Sequence, residues 1–230
     1  TANCYIVSAA GTYKLPLVYG NAIKNGGTNS SAYQGYGFKD HLNNNITGPY
    51  IYSSYTPKDC ILVWSDGIYM FKDVKLSADK QFLEFTLDQE YMQQANAIVA
   101  VRDNQGRIMW SWHIWVTEHN LNDCIGLQDN TSDATNAYWL MRYNLGWVDG
   151  KMVYYNQRDL SCTFTQYVSG RTAVLNIKQE GDALDYKDVG STYYQWGRKD
   201  PIVALRNRNA VGSGDYRPHE TVDSKYGYKY

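Results

Sequence analysis

Apolar and polar positions alternate with a period of two along most of this chain, which is the pattern of strands that bury one face. Cys4–Val7, a turn at Ala9-Ala10-Gly11 and then Tyr13–Tyr19 predict a hairpin, with Pro16 confined to an edge or a bulge. Strands are expected again at Ile61–Trp64, Met70–Lys75, Phe82–Leu87, Ala97–Asp103 and Arg107–Val116, roughly ten residues apart, with Asp103-Asn104-Gln105-Gly106 as a hairpin loop. Short strands at regular spacing with turn signals between them predict a β-sandwich. In the last of these strands Ile108, Trp110, Trp112, Ile114 and Val116 share one face, and Met109, Ser111, His113 and Trp115 the other. Both faces are apolar enough to be covered, so this strand is expected at the centre of a sheet.

Between these runs the pattern changes. Gly20–Tyr55 is rich in Gly, Asn, Ser and Tyr and reads as a long exposed excursion with little to bury. Leu87–Ala97 is the one stretch with a helical character. Glu118–Ala137 is polar and marks a boundary. Alternation resumes at Tyr138–Met141, Cys162–Val168 and Thr172–Lys178, and the last two, joined through Ser169-Gly170-Arg171, predict a hairpin. Beyond Gly181 only Pro201–Leu205 is apolar enough to bury, and Asn207–Tyr230 alone cannot form a core. The expectation is an all-β chain: an Ig-like β-sandwich domain over 1–118 and a second β-rich domain over 119–230, whose C-terminal part either wraps onto the preceding domain or is the opening of a domain cut off at Tyr230.

Composition narrows the class. Of 230 residues 43% are hydrophobic and 20% charged, which excludes a disordered polyelectrolyte. Twenty-two Lys and Arg against 23 Asp and Glu leave no basic surplus for a phosphate backbone, so nucleic acid is not an expected partner. No run reaches the ~18 apolar residues of a membrane helix. The chain opens on Thr1 without a charged-then-apolar leader, so a processed or excised protein is expected, with any export signal upstream. Cys4, Cys60, Cys124 and Cys162 form no C-x-x-C pair, which argues against a zinc ribbon or a thioredoxin-like centre. Four cysteines allow two disulfides in three connectivities. Cys60 and Cys162 sit in strand-like runs, where a buried free thiol is the commoner state.

The residues needed for catalysis occur without a distinctive setting. Asp88 with Glu90, or Glu118 beside His113, are the acid pairs to weigh for hydrolysis, which needs two converging carboxyls with one raised in pKa. Val211-Gly212-Ser213-Gly214-Asp215 lacks the spacing of a nucleophile elbow. His113 and His119 are poorly spaced for one metal ion. Asp129, Asn130 and Asp133 offer oxygens to calcium but fit no EF-hand loop, and a solvated linker is the favoured reading. Gly26-Gly27-Thr28 lacks the Gly-Lys-Thr of a phosphate loop and reads as a turn. No cofactor or metal is expected.

The compositional excess is aromatic: 22 Tyr and 7 Trp beside 5 Phe. Tyrosine presents a large contact area at low rotamer cost, and a flat ring with a hydroxyl suits sugar faces and peptides. Tyr33, Tyr36, Tyr50, Tyr52 and Tyr55 crowd the Gly20–Tyr55 excursion, and Tyr193 and Trp196 lead an aromatic-rich tail; these seven are the candidate ligand-binding residues. Packing of these rings between domains or over sheet edges is the competing reading, and the favoured one for Tyr193 to Trp196.

Four strings add a resemblance: Thr1-Ala2-Asn3-Cys4-Tyr5-Ile6-Val7-Ser8 with Gly11-Thr12-Tyr13-Lys14; Met109-Trp110-Ser111-Trp112-His113-Ile114-Trp115-Val116-Thr117; Met141-Arg142-Tyr143-Asn144-Leu145-Gly146; and Tyr193-Tyr194-Gln195-Trp196-Gly197-Arg198-Lys199-Asp200-Pro201. In this order the chain resembles Bacteroidales cell-surface proteins of the fimbrillin-like class, in which a sandwich precedes a major-paralogous-domain-type region related to C-type-lectin-like folds, so the sandwich over 1–118 is expected to be Ig-like or fimbrillin-like. Two departures stand out: the Cys162–Lys178 hairpin intervenes between the third and fourth strings, and the further Trp residues and Cys-Pro element that usually follow are absent. The resemblance implies an exported lipoprotein, adhesin or pilus-associated subunit at the cell surface or outer membrane, and brings no catalytic residues. The expected function is therefore non-enzymatic attachment to a glycan, a host or bacterial surface protein, or sibling pilus subunits. A carbohydrate-active enzyme or its accessory binding module, and a structural spacer in a longer surface protein, are the alternatives.

Overall fold

The computed structural model describes residues 1–34, 38–67, 69–128, 137–155, 157–187, 192 and 201. They form an all-β structure, with one helical turn, α1 (Ile51–Ser54), and two 3-10 turns at Ser30–Ala32 and Gln89–Tyr91. The expected helical character of Leu87–Ala97 is corrected to the second of these turns. Asp88 caps it by accepting from the Glu90 amide at 2.9 Å, and the chain re-enters a strand at Ala95.

By contacts the chain divides into two compact units, Thr1–Val148 with Gly190–Tyr230, and Asp149–Val189. The sequence boundary at 118–119 falls inside the first.

The first unit contains two larger sheets. One is four-stranded, β1 (Cys4–Val7), β9 (Ile108–Val116), β8 (Ala95–Arg102) and β5 (Asp59–Ser65) in that order, with β1 parallel to β9 and the other pairs antiparallel. The other is three-stranded, β2 (Gly11–Pro16), β7 (Phe82–Leu87) and β6 (Phe71–Leu76), all antiparallel. The expected hairpin of the first two strands is therefore wrong. β1 and β2 enter different sheets, because the Ser8–Ala10 connection hands the chain across instead of folding it back. Pro16 ends the edge strand β2, where its missing N–H costs no ladder bond.

Leu15, Leu83, Phe85 and Leu87 of the three-stranded sheet share one hydrophobic cluster with Ala97, Val99, Val101, Trp112 and Ile114 of the four-stranded one. The Gly20–Tyr55 excursion also feeds it. Ala22, Tyr33, Ile46 and Ile51 are buried there, so the expectation of little to bury is corrected. It contains a two-residue hairpin between β3 (Ile23–Lys24) and β4 (Gly27–Thr28), with Asn25 and Gly26 at φ 52° and 78°, the left-handed pair that such a turn requires.

β9 is buried along all nine residues and lies between β1 and β8, the central position its two apolar faces predict. A second cluster, Trp64, Ile98, Ala100 and Ile108, covers part of the opposite face of this sheet.

Further along, β10 (Cys124–Gln128) pairs antiparallel with β11 (Ala137–Met141), so a strand occupies part of the stretch expected to be a polar linker. In the second unit β12 (Lys151–Tyr155) pairs with β15 (Asp182–Lys187), and β13 (Arg158–Thr165) with β14 (Thr172–Gln179), the hairpin the sequence predicts. From Met152–Asp185 to Tyr155–Asp182 and from Arg158–Gln179 to Thr165–Thr172 the partners keep the same register, and the turn at 166–171 closes the second pair.

Candidate functional site

Two groups of polar side chains are buried, and both are tied to the scaffold. On the far face of β9, His113 is fully buried and its Nε2 lies 2.9 Å from Asn96 Oδ1. Asn96 Nδ2 in turn donates to the Gly146 carbonyl at 2.9 Å, and Trp115 Nε1 donates to the Trp147 carbonyl at 2.9 Å. Thr192 Oγ1 donates to the Leu145 carbonyl at 3.0 Å. Desolvation lowers the His113 pKa to about 3, so the imidazole is neutral. At the other end of the sheet, Trp110 Nε1 donates to Asn3 Oδ1 at 2.9 Å. Residues of three of the four strings named above, Asn3, Trp110 to Trp115 and Leu145-Gly146, thus meet around one strand, where the Trp110 and Trp115 indoles and the Leu145 and Gly146 carbonyls find partners while the buried Trp112 indole N–H has none among the described residues.

The second group surrounds the β8–β9 turn. Asp103 accepts from the Gln105 and Arg107 amides at 2.9 Å each and from Arg107 Nε at 2.7 Å, and its carboxylate faces His41 Nε2 at 3.5 Å. Burial pushes the Asp103 carboxyl up, but the Arg107 and Gln105 hydrogen bonds more than offset it, so the net shift is downward. His41 is buried with Nδ1 unpartnered, and desolvation lowers its pKa against the pull of Asp40 and Asp103. The neighbouring Asp40 carboxylate accepts from the Leu42 and Asn44 amides and from the Tyr55 hydroxyl. These hydrogen bonds fold the excursion back on itself.

The acids weighed for hydrolysis are engaged in other ways. Asp88 is ion-paired with Lys72, which holds its carboxyl below the usual range, and it also caps the 3-10 turn. Glu118 accepts from Gln94 Nε2 at 3.4 Å. Among the described residues no group of three or more His, Cys, Asp or Glu is placed to hold a metal ion. The Asp129–Asp133 oxygens lie outside the described residues. None of the four cysteines is in a disulfide; Cys60 is buried and Cys162 partly exposed.

Of the seven candidate ligand-binding residues, Tyr33 is buried in the core and Tyr55 is half-buried and tied to Asp40 and Asn44. Tyr50 is exposed and Tyr52 half-buried on α1, their ring centroids 5.3 Å apart. Tyr36, Tyr193 and Trp196 lie outside the described residues. Of the four described rings the structure therefore exposes Tyr50, packs Tyr52 and Tyr55 against the core cluster, and buries Tyr33 within it.

Displayed aromatics that the sequence reading missed lie elsewhere. Tyr69 is 73% exposed, held at φ 57°, and meets Tyr91 edge-on with centroids 5.7 Å apart, while Lys72 Nζ sits 5.4 Å from the Tyr91 ring. Tyr138, Trp139 and Leu140 are exposed on β11, with Trp139 opposite Gly126. An open polar hollow of about 520 Å³ is lined by Asn21, Ile23, Lys24, Asn25 and Asn29. No helix among the described residues is long and apolar enough to cross a membrane.

Comparison of the chain with family models, with curated proteins and with solved structures finds no match in any of the three. The fimbrillin-like resemblance therefore stands on the four strings alone.

Proposed function

We propose that this is a non-enzymatic attachment protein of the cell surface, an adhesin or pilus-associated subunit, that grips a glycan or protein partner with displayed tyrosines. The observation that carries the reading is Tyr69. A bulky residue with φ above zero is strained by roughly 1–3 kcal/mol, and such strain gathers where a side chain must be presented. Here the strained backbone holds a nearly bare phenol ring in an edge-on pair with Tyr91. Beside it lies the exposed Lys72–Asp88 ion pair, with the Lys72 ammonium near the Tyr91 ring, so charged groups adjoin an apolar ring face, a setting that suits a sugar ring or a peptide plane.

The test is binding of the intact chain to a glycan array and to candidate surface proteins, repeated with Tyr69→Ala and Tyr91→Ala, and in parallel with Tyr50→Ala and Tyr52→Ala. A retained fold with affinity reduced about tenfold or more at either pair supports the reading, since one aromatic contact supplies about 1–2 kcal/mol. Binding that none of the four variants weakens, or no binding to any glycan or protein, overturns it.

A further inference from the structure

Residues 39–45 form a small turn that few buried groups hold in place. Lys39 and Asn45 make an isolated antiparallel bridge, and Lys39 Nζ donates to Asn45 Oδ1. Inside it the Asp40 amide donates to the Asn44 carbonyl at 2.9 Å and the Asn43 amide to the Asp40 carbonyl at 3.0 Å, with Asn43 at φ 68°. Leu42, Asn43, Asn44 and Asn45 are exposed, so Asp40 and His41 are the buried residues of the turn. The His41 side chain is 1% exposed; it faces Asp103 of the β8–β9 turn at 3.5 Å and meets the Tyr55 ring edge-on, centroids 4.7 Å apart. Both carboxylates beside it are already engaged. Asp103 Oδ2, the oxygen that faces the imidazole, accepts from Arg107 Nε and lies 2.7 Å from a second guanidinium nitrogen, while Oδ1 takes the Gln105 and Arg107 amides. Asp40 Oδ1 takes the Leu42 and Asn44 amides, and Oδ2 the Tyr55 hydroxyl. Buried Tyr19, near Asp40 and Tyr55, is uncharged. His41 Nδ1 has no partner among the described residues.

We propose that His41 is an acid-released latch: when its ring takes a proton, the 39–45 turn leaves the β8–β9 turn and uncovers Tyr55, while both larger sheets stay folded. In the neutral ring Nε2 carries the hydrogen toward Asp103, which leaves Nδ1 as a bare lone pair. Protonation makes Nδ1 a buried donor without an acceptor, and it sets a positive charge beside the Arg107 guanidinium, where both nearby carboxylates are already bound. Burial accordingly outweighs the attraction of Asp40 and Asp103, and the imidazole is held below its ordinary pKa of 6.5. Once the turn is open the ring protonates freely below pH 6.5, so the open population grows as pH falls, by up to about tenfold between pH 7.5 and pH 5.5. A segment with two buried residues and four exposed ones opens at a lower cost than the sheets beneath it. Its release frees the Tyr55 hydroxyl from Asp40 and Asn44, and presents that ring beside α1, where Tyr50 is already exposed. The latch does not depend on what, if anything, these rings bind.

Amide hydrogen exchange of the full chain, corrected for the intrinsic effect of pH on exchange, tests this. The Asp40, Leu42, Asn43 and Asn44 amides are all hydrogen-bonded in the closed turn. From pH 7.5 to pH 5.5 their protection should fall severalfold, up to about tenfold, and the loss should be nearly independent of urea well below the midpoint, because a local opening exposes little surface. Amides of β8 and β9 should remain the better protected at both pH values. His41→Gln, which takes no proton, should hold the protection of residues 40–44 constant between the two pH values and leave the trend in β8 and β9 as it is. Unchanged protection of residues 40–44 in the unsubstituted protein overturns the proposal, as does a pH response that survives in His41→Gln. So does a loss at residues 40–44 that steepens with urea in step with β8 and β9, since that is global unfolding. The first and last of these readouts need no variant to fold.

Discussion

His113 is buried without charge, and the consequence is a pH dependence whose sign follows from linkage. Its folded pKa is about 3, well below the 6.5 of an unperturbed histidine. Below pH 6.5 the unfolded chain therefore binds a proton that the folded chain refuses, and stability falls as pH falls, by up to about 1.4 kcal/mol per pH unit. The lowered pKa of buried His41 acts in the same direction. Carboxylates held below their usual range, such as Asp59 and Asp103, add losses only nearer pH 4, so between pH 7 and pH 5 the slope is a histidine effect. Urea midpoints across that window should fall for the unsubstituted protein and fall less steeply for His113→Gln; parallel slopes would show that this imidazole is not the source. Gly146 gives a second residue-level test. Its φ is +78°, and a Cβ there would lie 2.2 Å from Thr192 Oγ1 and 2.8 Å from Asn96 Oδ1. Gly146→Ala should cost about 3–5 kcal/mol, strain plus overlap, whereas Gly170→Ala, at φ +66° in open space, should cost about 1–2 kcal/mol. Similar losses at the two glycines would mean that the contact with Asn96 and Thr192 is dispensable.

Elements were legible in the sequence where alternation was backed by a turn. β7 runs Phe82–Leu87 as its pattern requires, β9 shows its two covered faces, and β13–β14 follows from two alternating runs around Gly170. What alternation does not encode is the partner of a strand. β1 joins β9 in parallel across more than a hundred residues, a pairing set by burial and by contacts such as Asn3 to Trp110, so the local reading as a hairpin with β2 failed. The site was legible only in part for a related reason. Tyrosine density marked the Tyr33–Tyr55 stretch, but a ring's direction depends on packing, and Tyr33 and Tyr55 turn inward while the solitary Tyr69 is displayed by an unusual φ. The β8–β9 turn was readable from Asp103-Asn104-Gln105-Gly106, and its carboxylate does more than the sequence implies. Asp103→Ala leaves two backbone amides and the Arg107 guanidinium without their acceptor, and should cost about 2–4 kcal/mol with an unchanged denaturant slope. Asp103→Asn, which keeps one acceptor oxygen, should cost less; equal losses would assign the effect to shape rather than to hydrogen bonding.

At the scale of the molecule, one strand organises the larger unit. β9 contributes Trp112, Ile114 and Val116 to the main cluster, while its other face carries His113 and Trp115 and their contacts with Asn96 and Trp147. Opening either side therefore exposes apolar surface or orphans buried polar groups, and loss of the core should be cooperative. Cys60 reports on that event. It is buried in the main cluster from β5, and burial pushes its thiol pKa up to about 12, so it is both inaccessible and protonated in the folded state. Cys4 and Cys124 are partly exposed and outside any disulfide. Under native conditions a thiol reagent should label these two quickly and Cys60 only through unfolding, at a rate that tracks the population of the open state. Adding denaturant below the midpoint should accelerate Cys60 labelling in proportion to the loss of global stability, and Gly146→Ala should do the same without denaturant. Labelling of Cys60 as fast as that of Cys4 would mean that β5 opens by itself, and that the four-stranded sheet does not behave as one cooperative body.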